Sequence, residues 1–193
     1  MGEMADRLGA NAVAIQMPVG AEDSFKAIID IIHEKYITYS DPEGMNLVIS
    51  DVPVEFKDQV KEYRRKLVEK LADADDQIME SFIHEKEISI PEIMAAIRRS
   101  VIKNALVPVL CGSSLRNKGV QMVLDAVTDF LPSPLDVPPI KGINPLNQEP
   151  AERMSSVDVP FSALVFKILS DPYVGKLFFT RVYSGKMISG VQV

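Results

Sequence analysis

The run VPVLCGSSLRNKGVQMVL, residues 107–124, limits the fold more than any other stretch of the chain. Leu106 to Cys111 reads as a short apolar strand, GSSLRNKG as a tight polar loop, and the remainder as the start of an amphipathic helix. A strand that feeds a helix through so short a loop belongs to an α/β sheet, and such sheets bind ligands beyond the carboxyl ends of their strands. The loop places several backbone N–H groups and the hydroxyls of Ser113 and Ser114 there. Gly and Ser also serve merely to turn a chain, so the loop acquires a function only from its surroundings.

Downstream, Val120, Val123, Leu124 and Val127 fall at helical spacing as a packing stripe that Leu131 closes. Pro132, Pro134, Pro138 and Pro139 end that helix and impose an extended linker over residues 132–160, which marks a domain boundary. FSALVFKIL (161–169) and KLFFTRVYS (176–184) read as two strands joined through Asp171-Pro172-Tyr173-Val174-Gly175, with a third strand starting near Met187. Three strands cannot close a barrel, so the C-terminus reads as cut.

Upstream, Arg7-Leu8-Gly9-Ala10-Asn11 has the residues expected just past a helix, with almost no helix before it. That end reads as cut too. AVAIQMPVG (12–20) alternates as one strand, ended by Pro18 and Gly20. FKAIIDII, KYITYS and NLVIS predict a small antiparallel sheet over residues 25–50, although FKAIIDIIHEKY would also suit a short helix. Asp41-Pro42-Glu43-Gly44 is the turn between the last two runs. His33, at a junction of runs with no partner cluster, reads as a surface or turn residue, and His84, between helices, as structural or exposed.

Residues 54–83 read as one long helix with Val60, Tyr63, Leu67, Leu71, Ala74, Ile78 and Phe82 as its buried stripe. Lys61, Arg64, Arg65, Lys66 and Lys70 are confined to the first half, so acid dominates the second. Glu69, Asp73, Asp76 and Glu80 form a stripe with no lysine four residues on to neutralise it. A charged stripe is ordinarily a solvated face; it would also suit docking of a basic partner. Ser89-Ile90-Pro91-Glu92 has capping-box spacing and opens a helix to about Asn104. Ile93, Ile97 and Val101 should face inward, and Arg98, Arg99 and Lys103 outward.

With 193 residues the chain suits one medium domain or two small ones, and its net charge of -6 argues against a generalised grip on nucleic acid. The single Cys111 rules out an internal disulfide and fits a reducing cytoplasm. No apolar run approaches the roughly 18 residues a membrane span needs, and MGEMADRLGA lacks the features of a signal peptide. The expectation is a cytoplasmic protein with no membrane contact.

In collinear order, RLGANAVAIQMPVGAEDSF, CGSSLRNKGVQMVLDAVTDFLPSPLDVPPIKG, PAER and PFSALVFKILSDPYVGKLFFTRVYSG resemble the bacterial-type elongation factor G family of translational GTPases. The likeness spans essentially the whole chain; the release-factor and ribosomal-protection relatives, which share the architecture, should match the linker and barrel strands less well. The resemblance implies a GTPase that moves messenger and transfer RNA through the ribosome, with GTP or GDP and Mg as its ligands. It also implies the fold class: α/β, the end of a P-loop GTPase domain with an α+β insertion subdomain, followed by the first strands of a β-barrel domain. Residues 1–24 and 106–131 would be the remnant of the GTP-binding domain, 25–105 the insertion, 132–160 a linker and 161–193 the truncated barrel. Ser113, Ser114 and Leu115 would form the guanine-side loop and act through backbone N–H groups. Ser114 stands where the family usually has alanine, a change that leaves a backbone donor in place. The family's insertion is associated with the ribosomal stalk protein, which makes Glu69, Asp73, Asp76 and Glu80 the candidate docking surface.

Holding phosphates and magnesium takes a glycine-rich loop with Lys and Ser or Thr, and no G-x-x-x-x-G-K-[ST] occurs here. Asp41-Pro42-Glu43-Gly44 matches a switch-loop Asp-x-x-Gly only formally, as a hairpin turn far from any phosphate site. Asn117-Lys118-Gly119 is a helix start, and the base-selecting Asn-Lys-x-Asp is missing. The expectation is an internal fragment of a translocase with no catalytic or metal-binding residues of its own and no tightly bound cofactor. The alternatives are a retained protein-binding module for the stalk protein and a natural stand-alone protein that lost its GTPase half.

Overall fold

The computed structural model describes residues 2–192 and divides the chain into two compact units that meet between Leu131 and Pro132. In the first, α1 (Gly2–Leu8) is followed by β1 (Ala12–Ala14), β2 (Gln16–Val19), β3 (Ala27–Asp30), β4 (Lys35–Tyr39) and β5 (Leu47–Asp51). Then come α2 (Val54–Ala74), α3 (Asp76–Ile83), α4 (Ile90–Ile102), β6 (Val107–Val109) and α5 (Val120–Phe130). A helix therefore stands where the sequence leaves almost none before Gly9.

The predicted antiparallel sheet forms as a meander, β2-β3-β4-β5, with Met17 opposite Ile29, Ile28 opposite Ile37 and Ile37 opposite Ile49. AVAIQMPVG is not one strand. It changes sheet at Ile15, whose N–H donates to Val109 O at 3.1 Å while its carbonyl accepts Ile31 N–H at 3.1 Å. On the near side of Ile15, β1 pairs in parallel with β6; on the far side, β2 joins the meander.

Behind the meander, Ile29, Ile31, Leu67, Leu71, Ile93 and Ile97 are fully buried. Each such side chain contributes roughly 1.5–3 kcal/mol by leaving water. The long helix expected over residues 54–83 is broken at Asp75, which is extended at φ -141° and ψ 114° and starts α3 with its own carboxylate. The break rotates the stripe: Ala72 is buried in place of Ala74, and Phe82 is 42% exposed. The capping box of α4 is made, Glu92 Oε2 accepting the Ser89 N–H at 2.8 Å and its hydroxyl at 2.6 Å. Arg98 and Arg99 are not simply outward. Arg98 donates to the carbonyls of Asp129 and Leu131 at the end of α5, and Arg99 to Asp75.

The stripe predicted to bury α5 is instead largely open: Val123, Leu124, Val127 and Leu131 are 42–62% exposed, and Phe130 is the buried residue. The cause is width. The parallel sheet beside α5 has two strands among the described residues, too few to cover an apolar helix face that a full parallel sheet would occupy.

In the second unit, the stretch read as a linker carries a hairpin of β7 (Ile140–Ile143) and β8 (Pro150–Arg153). β9 (Ser162–Asp171) and β10 (Gly175–Ser184) form a long antiparallel ribbon. Asp171 builds its turn by accepting the N–H groups of Tyr173 and Val174 at 2.8 and 2.9 Å. The third strand expected near Met187 does not form: residues 186–192 lie outside any strand, and Val193 lies outside the described residues. The whole is a mixed α/β protein of several small sheets and, among the described residues, five helices.

Candidate functional site

β6 delivers the chain into the loop 112–119. The strand is shorter than the expected Leu106–Cys111 and ends at Val109; Cys111, just past it, donates its N–H to Gln16 Oε1 at 3.2 Å, and burial pushes its thiol up to about 11. Ser113 and Lys118 then bridge, with Ser113 N–H to Lys118 O at 2.8 Å and Lys118 N–H to Ser113 O at 3.0 Å. Between them lies one 3-10 turn, Ser114–Arg116, closed by Arg116 N–H to Ser113 O and Asn117 N–H to Ser114 O, both 3.1 Å. The amides at the start of such a turn have no carbonyl to reach within it. Among the described residues the N–H groups of Ser114 and Leu115 have no partner, and the Leu115 side chain is 97% exposed. The amides of Ser114 and Leu115 thus form a small donor pair suited to an acceptor oxygen, whereas Ser113 spends its own N–H on Lys118 O.

The turn at residues 41–44 is a turn, as read, but it stands against this loop. The Tyr39 hydroxyl oxygen accepts Gly119 N–H at 2.5 Å, and Gly44 O accepts Gln121 Nε2 at 2.8 Å and Asn117 Nδ2 at 3.4 Å. Arg116 pairs with Asp23 at 2.9 Å. The sequence singles out none of Tyr39, Gly44, Asp23 or Gln121 as a site residue. Each of these bonds joins residues 73 to 93 positions apart, beyond the reach of local pattern.

The acidic quartet is divided. Glu69 and Asp73 lie on α2, Asp76 and Glu80 on α3, with the break at Asp75 between the pairs. Glu69 has a cation after all, Arg65 Nη1 at 2.9 Å, four residues before it rather than after. Asp73, Asp76 and Glu80 are exposed and have no ion pair among the described residues. His33 has a partner in Asp30, Nδ1 to Oδ2 at 2.8 Å, on the wall of a cleft of about 400 Å³ that Gln16, Asp125 and Asp129 also line. His84 is exposed at the end of α3. Among the described residues no group of three His, Cys, Asp or Glu side chains is placed to hold a metal ion, and no helix is long and apolar enough to cross a membrane.

No protein-family profile matches the chain. Among solved structures it is similar to the crystal structure of ttk003000868 from Thermus thermophilus, at 23% sequence identity and a TM-score of 0.71. The match covers 95% of this chain and 24% of that one, so the chain spans about a quarter of that protein's length. At such identity the likeness speaks for the fold alone.

Proposed function

We propose that this chain is part of a cytoplasmic translational GTPase of the elongation factor G type, and that it holds one wall of a guanine-nucleotide site without the phosphate-binding half. The observation that carries the reading is the collinear resemblance from RLGANAVAIQMPVG through CGSSLRNKGVQ to KLFFTRVYSG. The partnerless amides of Ser114 and Leu115 beyond β6 support it, since two adjacent donors suit the base oxygen of guanine. The residues that would hold phosphates and magnesium are not in this stretch. Two hydrogen bonds at roughly 0.5–1.5 kcal/mol each fall far short of the roughly 8 kcal/mol of micromolar binding. Calorimetry with GTP or GDP should therefore show no saturable binding below millimolar concentration; micromolar affinity would overturn the reading of this part as non-catalytic.

The second reading is a protein-binding module that docks the ribosomal stalk protein. It is favoured by the solvent exposure of Asp73, Asp76 and Glu80, acids with no cation of their own among the described residues. Exposed charge of this kind steers association more than it holds the complex. Charge reversal at Asp73 and Asp76 should slow association with the stalk protein and flatten its salt dependence; unchanged kinetics across a salt titration would reject the surface.

A further inference from the structure

We infer that Tyr39 and Gly44, at the tip of the β4–β5 hairpin, are positioning residues for the loop 112–119 and set the aim of the Ser114 and Leu115 amides. The inference rests on the guanine-side reading only for the identity of what those amides meet. The loop's own bonds are few: the Ser113–Lys118 bridge and the two closing bonds of its 3-10 turn. Beyond these, Asp23 holds Arg116 at 2.9 Å, and the remaining side-chain and backbone restraints come from the hairpin.

Gly119, where the loop becomes α5, is buried at φ +88°, and a Cβ there would lie 2.8 Å from Cys111 O. Its N–H is held by the Tyr39 hydroxyl oxygen, over whose ring the Lys118 ammonium stands at 5.9 Å. Gly44, at φ +67°, presses on the other flank: a Cβ there would come within 2.6 Å of Arg116 O and 2.9 Å of Asn117 O. Its carbonyl holds Gln121 and Asn117. The tip is itself preformed, because Asp41 accepts the N–H groups of Met45 and Asn46 at 2.8 and 2.6 Å. The hairpin thus holds the loop at residues 116–121 and leaves 114–115 clear. Any ligand that orders the loop and any event that moves the hairpin tip are then linked, each altering the other by the same factor.

The test is amide NMR on the 193-residue chain. Tyr39→Phe removes the acceptor of Gly119, so the Gly119 amide proton should move upfield and exchange at Lys118 and Gly119 should quicken, up to about tenfold for one lost hydrogen bond, with Ile29 and Ile37 unchanged. Gln121→Ala should do the same at Arg116 and Asn117 without touching the Tyr39 bond. Loop amides unchanged in both variants would overturn the proposal. So would faster exchange spreading equally to Ile29 and Ile37, because the side chains would then hold the sheet rather than the loop. Guanosine diphosphate titrated to about 100 mM, the range that two such bonds allow, supplies the second readout, shifts at Ser114 and Leu115 that weaken in Tyr39→Phe. Loop exchange that responds to the variants with no nucleotide-induced shift leaves the brace standing and removes the guanine-side reading. Identical nucleotide shifts in parent and variants remove the brace.

Discussion

Asp75 performs two tasks with one carboxylate. Its oxygens hold Arg99 Nε at 2.7 Å and Nη2 at 2.9 Å, while Oδ1 also accepts the N–H groups of Gln77 and Ile78 at the start of α3. The side chain is 4% exposed, yet the Arg99 hydrogen bonds, aided by those amides, hold its carboxyl below the usual carboxylate range against the pull of burial. A carboxyl with its folded value depressed lends stability that is complete above its unfolded value, about 3.9, and is lost as pH falls through the folded one. Asp75→Asn keeps the shape and discards the charge. Breaking a buried pair costs about 3–5 kcal/mol; Arg99 is partly exposed and regains water, which brings the expected loss at pH 7 to about 2–3 kcal/mol. Urea unfolding should show that loss at pH 7 and a progressively smaller one as pH falls below about 3.9, and a cost that stays constant through that acid range would contradict the pairing.

Among the elements, the meander and α4 were legible because their signals are local: β-branched alternation over residues 25–50, and the Ser89–Glu92 box. The break between α2 and α3 was not. Asp75 looks like one more member of an acidic run with Asp73 and Asp76, and what sets it apart is Arg99, 24 residues on. The change of sheet at Ile15 hides in the same way, since the apolar alternation runs straight through it. In the loop, the tight turn between strand and helix could be read from the sequence, whereas Tyr39, 80 residues from Gly119, could not. For α5, periodicity shows which face is apolar but not whether anything covers it. Leu124→Lys, at a side chain 62% exposed, should therefore change stability by less than about 0.5 kcal/mol. Ile97→Ala, in the sealed core of α4, should cost about 2–5 kcal/mol. Denaturant midpoints of the two variants check the contrast, and comparable losses would mean that the α5 face is covered in solution.

At the scale of the molecule, residues up to Leu131 and from Pro132 onward are separate units, and within the first two sheets of opposite kind meet. A parallel pair and an antiparallel meander have different loop-closure demands, so they would ordinarily open as separate cooperative blocks. Ile15 prevents that, because its N–H donates to β6 and its carbonyl accepts from the residue just past β3. Neither ladder can fray past that point without breaking the other. The amides of Val109 and Ile29 should lose hydrogen-exchange protection at the same denaturant concentration, as a single foldon, and two distinct midpoints would show the ladders to be uncoupled. A junction of two sheets is thus also the place where two unfolding reactions become one.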